Sequence, residues 1–149
     1  MLSKRIYFFL LIAPLGYALF SQYVQGYHPC EMCIYQRWGY VGAILFCIAS
    51  LKYRKLFKLS LLFLVLTCAT AFFHVGLEQK WWEGFSTCSG AAEKGASLEE
   101  LKNMILAAPA VKCDEISWTF LSLSMAAWNA IYTFCLSVYG YILCQRKYI

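Results

Sequence analysis

Residues 34–75 read IYQRWGYVGAILFCIASL-KYRK-LFKLSLLFLVLTCATAFFHV. Two apolar runs, 34–51 and 56–75, flank a short basic stretch. A helix needs about 20 mostly apolar residues to cross the hydrocarbon core of a bilayer. In lipid it can do so because it satisfies its own backbone hydrogen bonds. Each run therefore reads as a transmembrane helix, and the KYRK stretch as the turn that sends the chain back.

Working outward, two more runs of that kind appear, at 6–24 and 118–143. The chain has 149 residues, of which 61% are hydrophobic and only 14% charged. That leaves too little polar surface to clothe a soluble core of this size. The expected fold is an all-α membrane protein, one integral-membrane domain built as a four-transmembrane-helix bundle. Lys4 and Arg5 precede the first run, as in a signal peptide. The run is long and has no clear A-x-A-like site near its end, so it reads as a retained span.

Charge gives the orientation. Lys4 and Arg5, then Lys52, Arg54, Lys55 and Lys58, then Arg146 and Lys147 fall on one side, with no acidic residue among them. The loops on the other side, 25–33 and 76–116, hold all eight acids and only a scatter of basic residues, Arg37 lying just beyond the first of them. The positive-inside rule places both termini and the 52–58 turn in the cytoplasm. The net charge of +5 is then a matter of topology, and no nucleic-acid partner is expected. Of the eight cysteines, Cys30, Cys33, Cys88 and Cys113 lie in the outer loops. In a bacterium that face is the periplasm, where disulfides form and persist. Cys47, Cys68, Cys135 and Cys144 lie inside the runs and read as small apolar packing residues.

The first outer loop runs into Pro29-Cys30-Glu31-Met32-Cys33. Pro29 suits the first turn of a helix. Cys30 and Cys33 then share one face at a helix N-terminus, where the dipole and unpaired N–H groups stabilise negative charge. Arg37 follows one turn deeper on the same face. Spacing alone leaves three readings of this C-x-x-C: half a zinc site, a structural disulfide, or a redox pair. Arg37 favours the redox pair, because a zinc site gains nothing from a neighbouring guanidinium. Arg37 also fits a plain interfacial arginine that reaches the headgroups.

In the second outer loop, Cys88 and Cys113 are separated widely enough for a shuttle or a structural disulfide. Ser97 and Glu100 fit a capping box, and Leu98, Leu101 and Ile105 share a face. A short amphipathic helix on the membrane surface is expected there. Trp81 and Trp82 suit the interfacial belt. His74 ends the third run, either as an interfacial histidine or as a group that meets a quinone oxygen.

The stretch Pro29–Arg37, PCEMCIYQR, resembles the P-C-x-x-C-x-x-x-R signature of the DsbB-type disulfide bond formation proteins. His74-Val75-Gly76-Leu77-Glu78, Trp81-Trp82, Cys88, Cys113-Asp114 and the LSMAAWN of residues 123–129 resemble further parts of that family. Gln36 stands where many members carry Glu, a difference expected to leave the chemistry undisturbed. The resemblance implies a thiol-disulfide oxidase of the bacterial inner membrane, its active cysteines on the periplasmic face. Cys30 and Cys33 would be the pair next to a membrane quinone, ubiquinone or menaquinone, with Arg37 and His74 beside it. Cys88 and Cys113 would accept electrons from a periplasmic DsbA-type partner of thioredoxin fold. Such a relay keeps the periplasm oxidising. No metal is expected. The rival readings are a DsbI-like oxidase with a dedicated partner, and a non-enzymatic membrane protein with structural disulfides or zinc. A vitamin K epoxide reductase-like protein ranks below both, because that family has its C-x-x-C near the end of its bundle.

Overall fold

The computed structural model describes residues 2–82, 99, 112–114, 116 and 118–145. Four helices in it are long and apolar enough to cross a membrane. They are α1 (Leu2–Tyr23), α2 (Glu31–Ala49), α3 (Phe57–Glu78) and α4 (Met125–Gln145). The expected four-helix membrane architecture is the one observed. Cys88 lies outside the described residues, and so does the amphipathic helix expected over residues 97–106 apart from Glu99.

Large apolar side chains such as Phe9, Leu45, Leu62, Phe72 and Phe134 stand exposed on the outer faces of the helices. In water such a surface would aggregate, whereas against acyl chains it is the ordinary exterior. Inside, Tyr7, Leu11, Tyr40, Ala43, Cys47, Phe57, Leu64 and Leu136 form one buried cluster. α3 packs most extensively, against α2 on one side and α4 on the other, while α1 sits more loosely against α2 and α4. Close approach of α2 to α3 depends on Gly39, since a Cβ there would fall on the Thr67 hydroxyl. Without a hydrophobic drive between helices in lipid, small residues that let backbones approach carry much of the association.

Helix ends show local chemistry that composition did not. Pro29 precedes the α2 N-cap, which is Cys30 with extended backbone, so the proline sits just outside the helix rather than in its first turn. α3 runs on to Glu78 and closes with a Schellman turn. There Trp81 N–H donates to the Gly76 carbonyl at 2.9 Å and Lys80 N–H to Leu77 at 3.1 Å. Lys80 takes the left-handed position, φ 57°, that glycine usually fills. The turn folds Trp82 back onto Phe73, ring centroids 5.3 Å apart and nearly parallel, with the indole over Gly76.

The fourth helix begins later than the run beginning at residue 118. Thr119–Phe120 (β1) pairs antiparallel with Leu123–Ser124 (β2) through a tight turn in which Leu121 and Ser122 both have positive φ. Ser124 then caps α4, its hydroxyl accepting the Ala127 N–H at 3.1 Å. In α1, Pro14 lacks the N–H that would bond the Leu10 carbonyl. The Tyr132 hydroxyl from α4 donates to that carbonyl at 2.8 Å, so the proline is accommodated by a neighbouring helix.

Candidate functional site

The loose seat of α1 leaves a cavity of about 590 Å³ at one end of the bundle. Its walls are mostly apolar. Pro14, Tyr17 and Ala18 come from α1, and Trp128 and Tyr132 from α4. The polar groups that reach it include Cys33, Arg37, His74 and Asn129.

Cys30 and Cys33 sit at the start of α2, and the Cys30 thiol donates to Cys33 Sγ at 3.3 Å. That hydrogen bond, aided by burial, pushes the Cys30 thiol up to about 12. Cys30 therefore holds its proton. The α2 helix begins immediately after Cys30, whose carbonyl accepts the Ile34 N–H at 3.2 Å. Arg37 reaches across to α1, donating to Gln22 Oε1 and, at 3.1 Å, to the Ala18 carbonyl. A guanidinium has five N–H donors, so donors remain after these two bonds.

Cys113 is 1% exposed and packs with Cys30, Met32 and Leu77, with Cys33, Phe73 and Trp82 around them. Cysteines far apart in sequence thus share one buried cluster. His74 is 4% exposed, so its ring is packed inside the bundle. Its Nε2 lies 3.6 Å from Cys30 Sγ and its Nδ1 lies 3.2 Å from Gln36 Nε2. Glu78 Oε1 is 4.0 Å from the same Nε2, and its other oxygen accepts the Ser124 hydroxyl. Asn129 Nδ2 donates to Gln36 Oε1 at 2.7 Å, and the Tyr40 hydroxyl donates to Asn129 Oδ1 at 2.7 Å.

Of the residues expected from sequence, Cys30, Cys33, Cys113 and His74 are therefore together, with Arg37 on the cavity wall. Gln36, Tyr40, Glu78, Ser124 and Asn129 were not singled out as site residues. Gln36 in particular touches His74, so its side chain belongs to the site. The available signal was the presence of carboxamides within apolar spans, where polar side chains are rare and usually face a partner. Cys47, in the buried cluster, and Cys68, beside the Ala130 carbonyl, fit packing roles. Cys135 differs, because it lines the cavity.

Three potential ligand atoms, on Cys30, Cys33 and His74, lie within 4.8 Å of one another. Chemically the arrangement can hold a soft metal or run thiol-disulfide exchange. It can also seat a flat apolar ring whose polar edges meet Arg37.

Residues 4–143 match the family model described as "Disulfide bond formation protein DsbB". Among similar proteins, "Uncharacterized protein RP370" of Rickettsia prowazekii is 27% identical, over 91% of this chain and 83% of its own. "Disulfide bond formation protein B" of Pseudoalteromonas atlantica is 27% identical, over 97% of this chain and 90% of its own. The protein of that name from Aeromonas salmonicida is 34% identical, over 74% of this chain and 68% of its own. No solved structure matches. A family match that takes in all four spans and both ends of the cysteine pocket leaves one assignment: the chain belongs to the DsbB family of disulfide bond formation proteins.

Proposed function

We propose that this protein reoxidises a periplasmic DsbA-type dithiol oxidase and passes the electrons to a membrane quinone, ubiquinone or menaquinone. The observation that carries this reading is the Cys30–Cys33 pair, 3.3 Å apart, at the wall of a largely apolar cavity that also presents Arg37. Two electrons leaving a dithiol need an acceptor close by, and in a bilayer the acceptor must itself be apolar. The cavity volume lies within the range of small-molecule sites. Its few polar groups suit a ring with carbonyl edges. The quinone, when bound, supplies the two-electron sink.

The chain's own residues do the rest. Cys88 exchanges with the partner's active-site cysteine through a mixed disulfide, and the pair Cys88–Cys113 is reduced. A Cys113 thiolate then attacks Cys30, breaking the Cys30–Cys33 bond and leaving the electron pair on Cys33. Burial of Cys113 against Cys30 supports that order of exchange. Arg37 holds a fixed positive charge beside the electron-rich end of the route, and the outward face of the inner membrane supplies partner and oxidising surroundings.

The ligand atoms gathered on Cys30, Cys33 and His74 favour one second reading, a zinc centre in a protein that is not an enzyme. One experiment separates the two. The purified protein is mixed with a reduced DsbA-type donor and quinone absorbance is followed, for wild type and for Cys33→Ala. Many turnovers by wild type and none by Cys33→Ala are expected. No turnover with ubiquinone or menaquinone analogues, together with stoichiometric zinc, sinks the oxidase reading.

A further inference from the structure

A line of hydrogen bonds runs from the middle of the bundle to the cysteine pair. Its members are Tyr40, Asn129, Gln36, His74, Cys30 and Cys33, and their contacts span 2.7 to 3.6 Å. They come from the start and body of α2, from α3 and from α4. Tyr40, Gln36, His74 and Cys30 are each buried.

The line has a direction. A carboxamide nitrogen only donates and its oxygen only accepts. The Tyr40 hydroxyl donates to Asn129 Oδ1, and the Asn129 nitrogen donates to Gln36 Oε1. That in turn leaves the Gln36 nitrogen facing His74 Nδ1. An Nδ1 that accepts a hydrogen bond carries no proton, so in the neutral ring the proton is on Nε2. A second contact agrees. Glu78 Oε1, 4.0 Å from Nε2, attracts a proton on that nitrogen. Among the described residues, Cys30 and the Cys113 backbone also lie within hydrogen-bonding reach of the ring.

We infer that Gln36 and Asn129 are positioning residues that hold His74 as the Nε2–H tautomer, with that N–H aimed at Cys30 Sγ. The inference rests on the function proposed above and adds a step to it. In the Cys30–Cys113 mixed disulfide, the Cys88 thiolate attacks Cys113 Sγ. The Cys88–Cys113 bond forms, the Cys30–Cys113 bond breaks, and the electron pair goes to Cys30. His74 donates its Nε2 hydrogen bond to the sulfur as this charge develops. Two thiol protons are released by Cys88 and Cys113, and one of them returns to Cys30. No outside oxidant enters this step, since the oxidising disulfide was Cys30–Cys33. A base at Nε2 would do the opposite and penalise Cys30 as a leaving group. Gln36 and Asn129 thus act two and three links from the sulfur without touching it.

The chain has only two histidines, so His28→Asn leaves one ring to observe. Nitrogen NMR of that variant, labelled at histidine and held in micelles, is expected to give a protonated Nε2 and a bare Nδ1. Asn129→Asp, measured at pH 8, cannot donate to Gln36. Its carboxylate turns the Gln36 amide over, and the proton is expected to move to Nδ1. In quinone-free protein, release of Cys30 in a single turnover with reduced partner is then expected to slow about tenfold, the worth of one hydrogen bond to a charged group. A bare Nε2 in a wild-type protein that turns over quinone overturns the inference and leaves the proposed function standing. So does an unchanged tautomer in Asn129→Asp. A wild type that never exchanges with the partner removes the reaction itself, and the role given to His74 with it.

Discussion

Arg37 divides its guanidinium between two tasks. Its bonds to Gln22 and the Ala18 carbonyl tie α2 to α1, the most loosely packed helix, and the same side chain lines the cavity. A hydrogen bond to a charged group contributes about 1.5–3 kcal/mol net. Arg37→Ala should therefore raise the apparent KM for quinone at least about tenfold, at 1.36 kcal/mol per factor of ten. The KM for the reduced partner should stay within about twofold, since in the proposed route the partner exchanges with Cys88 and not with the quinone cavity. Steady-state kinetics with each substrate varied in turn checks this; equal shifts in both constants would show that Arg37 only holds the bundle together. Arg37→Lys keeps the charge but loses the fork that spans two acceptors, so it should recover part of the quinone affinity and not the tie to α1.

At the scale of elements, the site depends on how closely α2 approaches α3, because Cys30 and Gln36 belong to one helix region and His74 to the other. Gly39 sets that approach, facing Thr67 with no room for a Cβ. Thr67 cannot simply swing away, as its hydroxyl is bonded to the Phe63 carbonyl at 2.8 Å. Gly39→Val should cost about 1–3 kcal/mol by overpacking. It should also part the Gln36–His74 contact. Thermal unfolding in detergent gives the first effect, and the His74 nitrogen shifts give the second; a variant with wild-type midpoint and shifts would mean the helices are held elsewhere. The existence of α2 and α3 was legible, because lipid length is a direct count of apolar residues. Their ends and faces were not. A membrane helix is apolar on both its lipid and protein sides, so no periodic stripe says that Gly39 faces Thr67. The Schellman turn uses Lys80 where glycine would have announced it. The hairpin of Thr119–Ser124 has Leu121 and Ser122 at its corner, without the Asn-Gly signal that marks such turns. Cys30, Cys33 and Arg37 were legible for the reverse reason: their spacing is local. Gln36 and Asn129 meet across 93 positions, and only the folded bundle brings them together.

Over the whole molecule, the sorting of charge makes a prediction about chemistry as well as topology. Eight basic residues lie at the two ends and in or beside the 52–58 turn, and every acid lies in the loops that carry the cysteine pairs or at the helix ends beside them. Near a membrane with an anionic inner leaflet, each basic residue close to the surface is worth about 1 kcal/mol, so the sum is decisive for orientation. An epitope inserted after Tyr53, or appended after Ile149, should bind antibody only in opened cells. One inserted after Gly95 should bind in intact spheroplasts. The reverse pattern would put Cys30, Cys33 and Cys113 in a reducing compartment, where glutathione and thioredoxin keep thiols reduced. There the same pocket could not act as an oxidase toward a secreted partner, however well its sulfurs were placed. The orientation experiment is thus also a test of the electron route. A pair of cysteines stacked against an apolar cavity gains a direction for its electrons only when one end meets an oxidising compartment and the other meets the bilayer. In the proposed topology the charge asymmetry supplies that direction, and moving Lys52, Arg54 and Lys55 to the outer loops should invert the chain and abolish partner oxidation together.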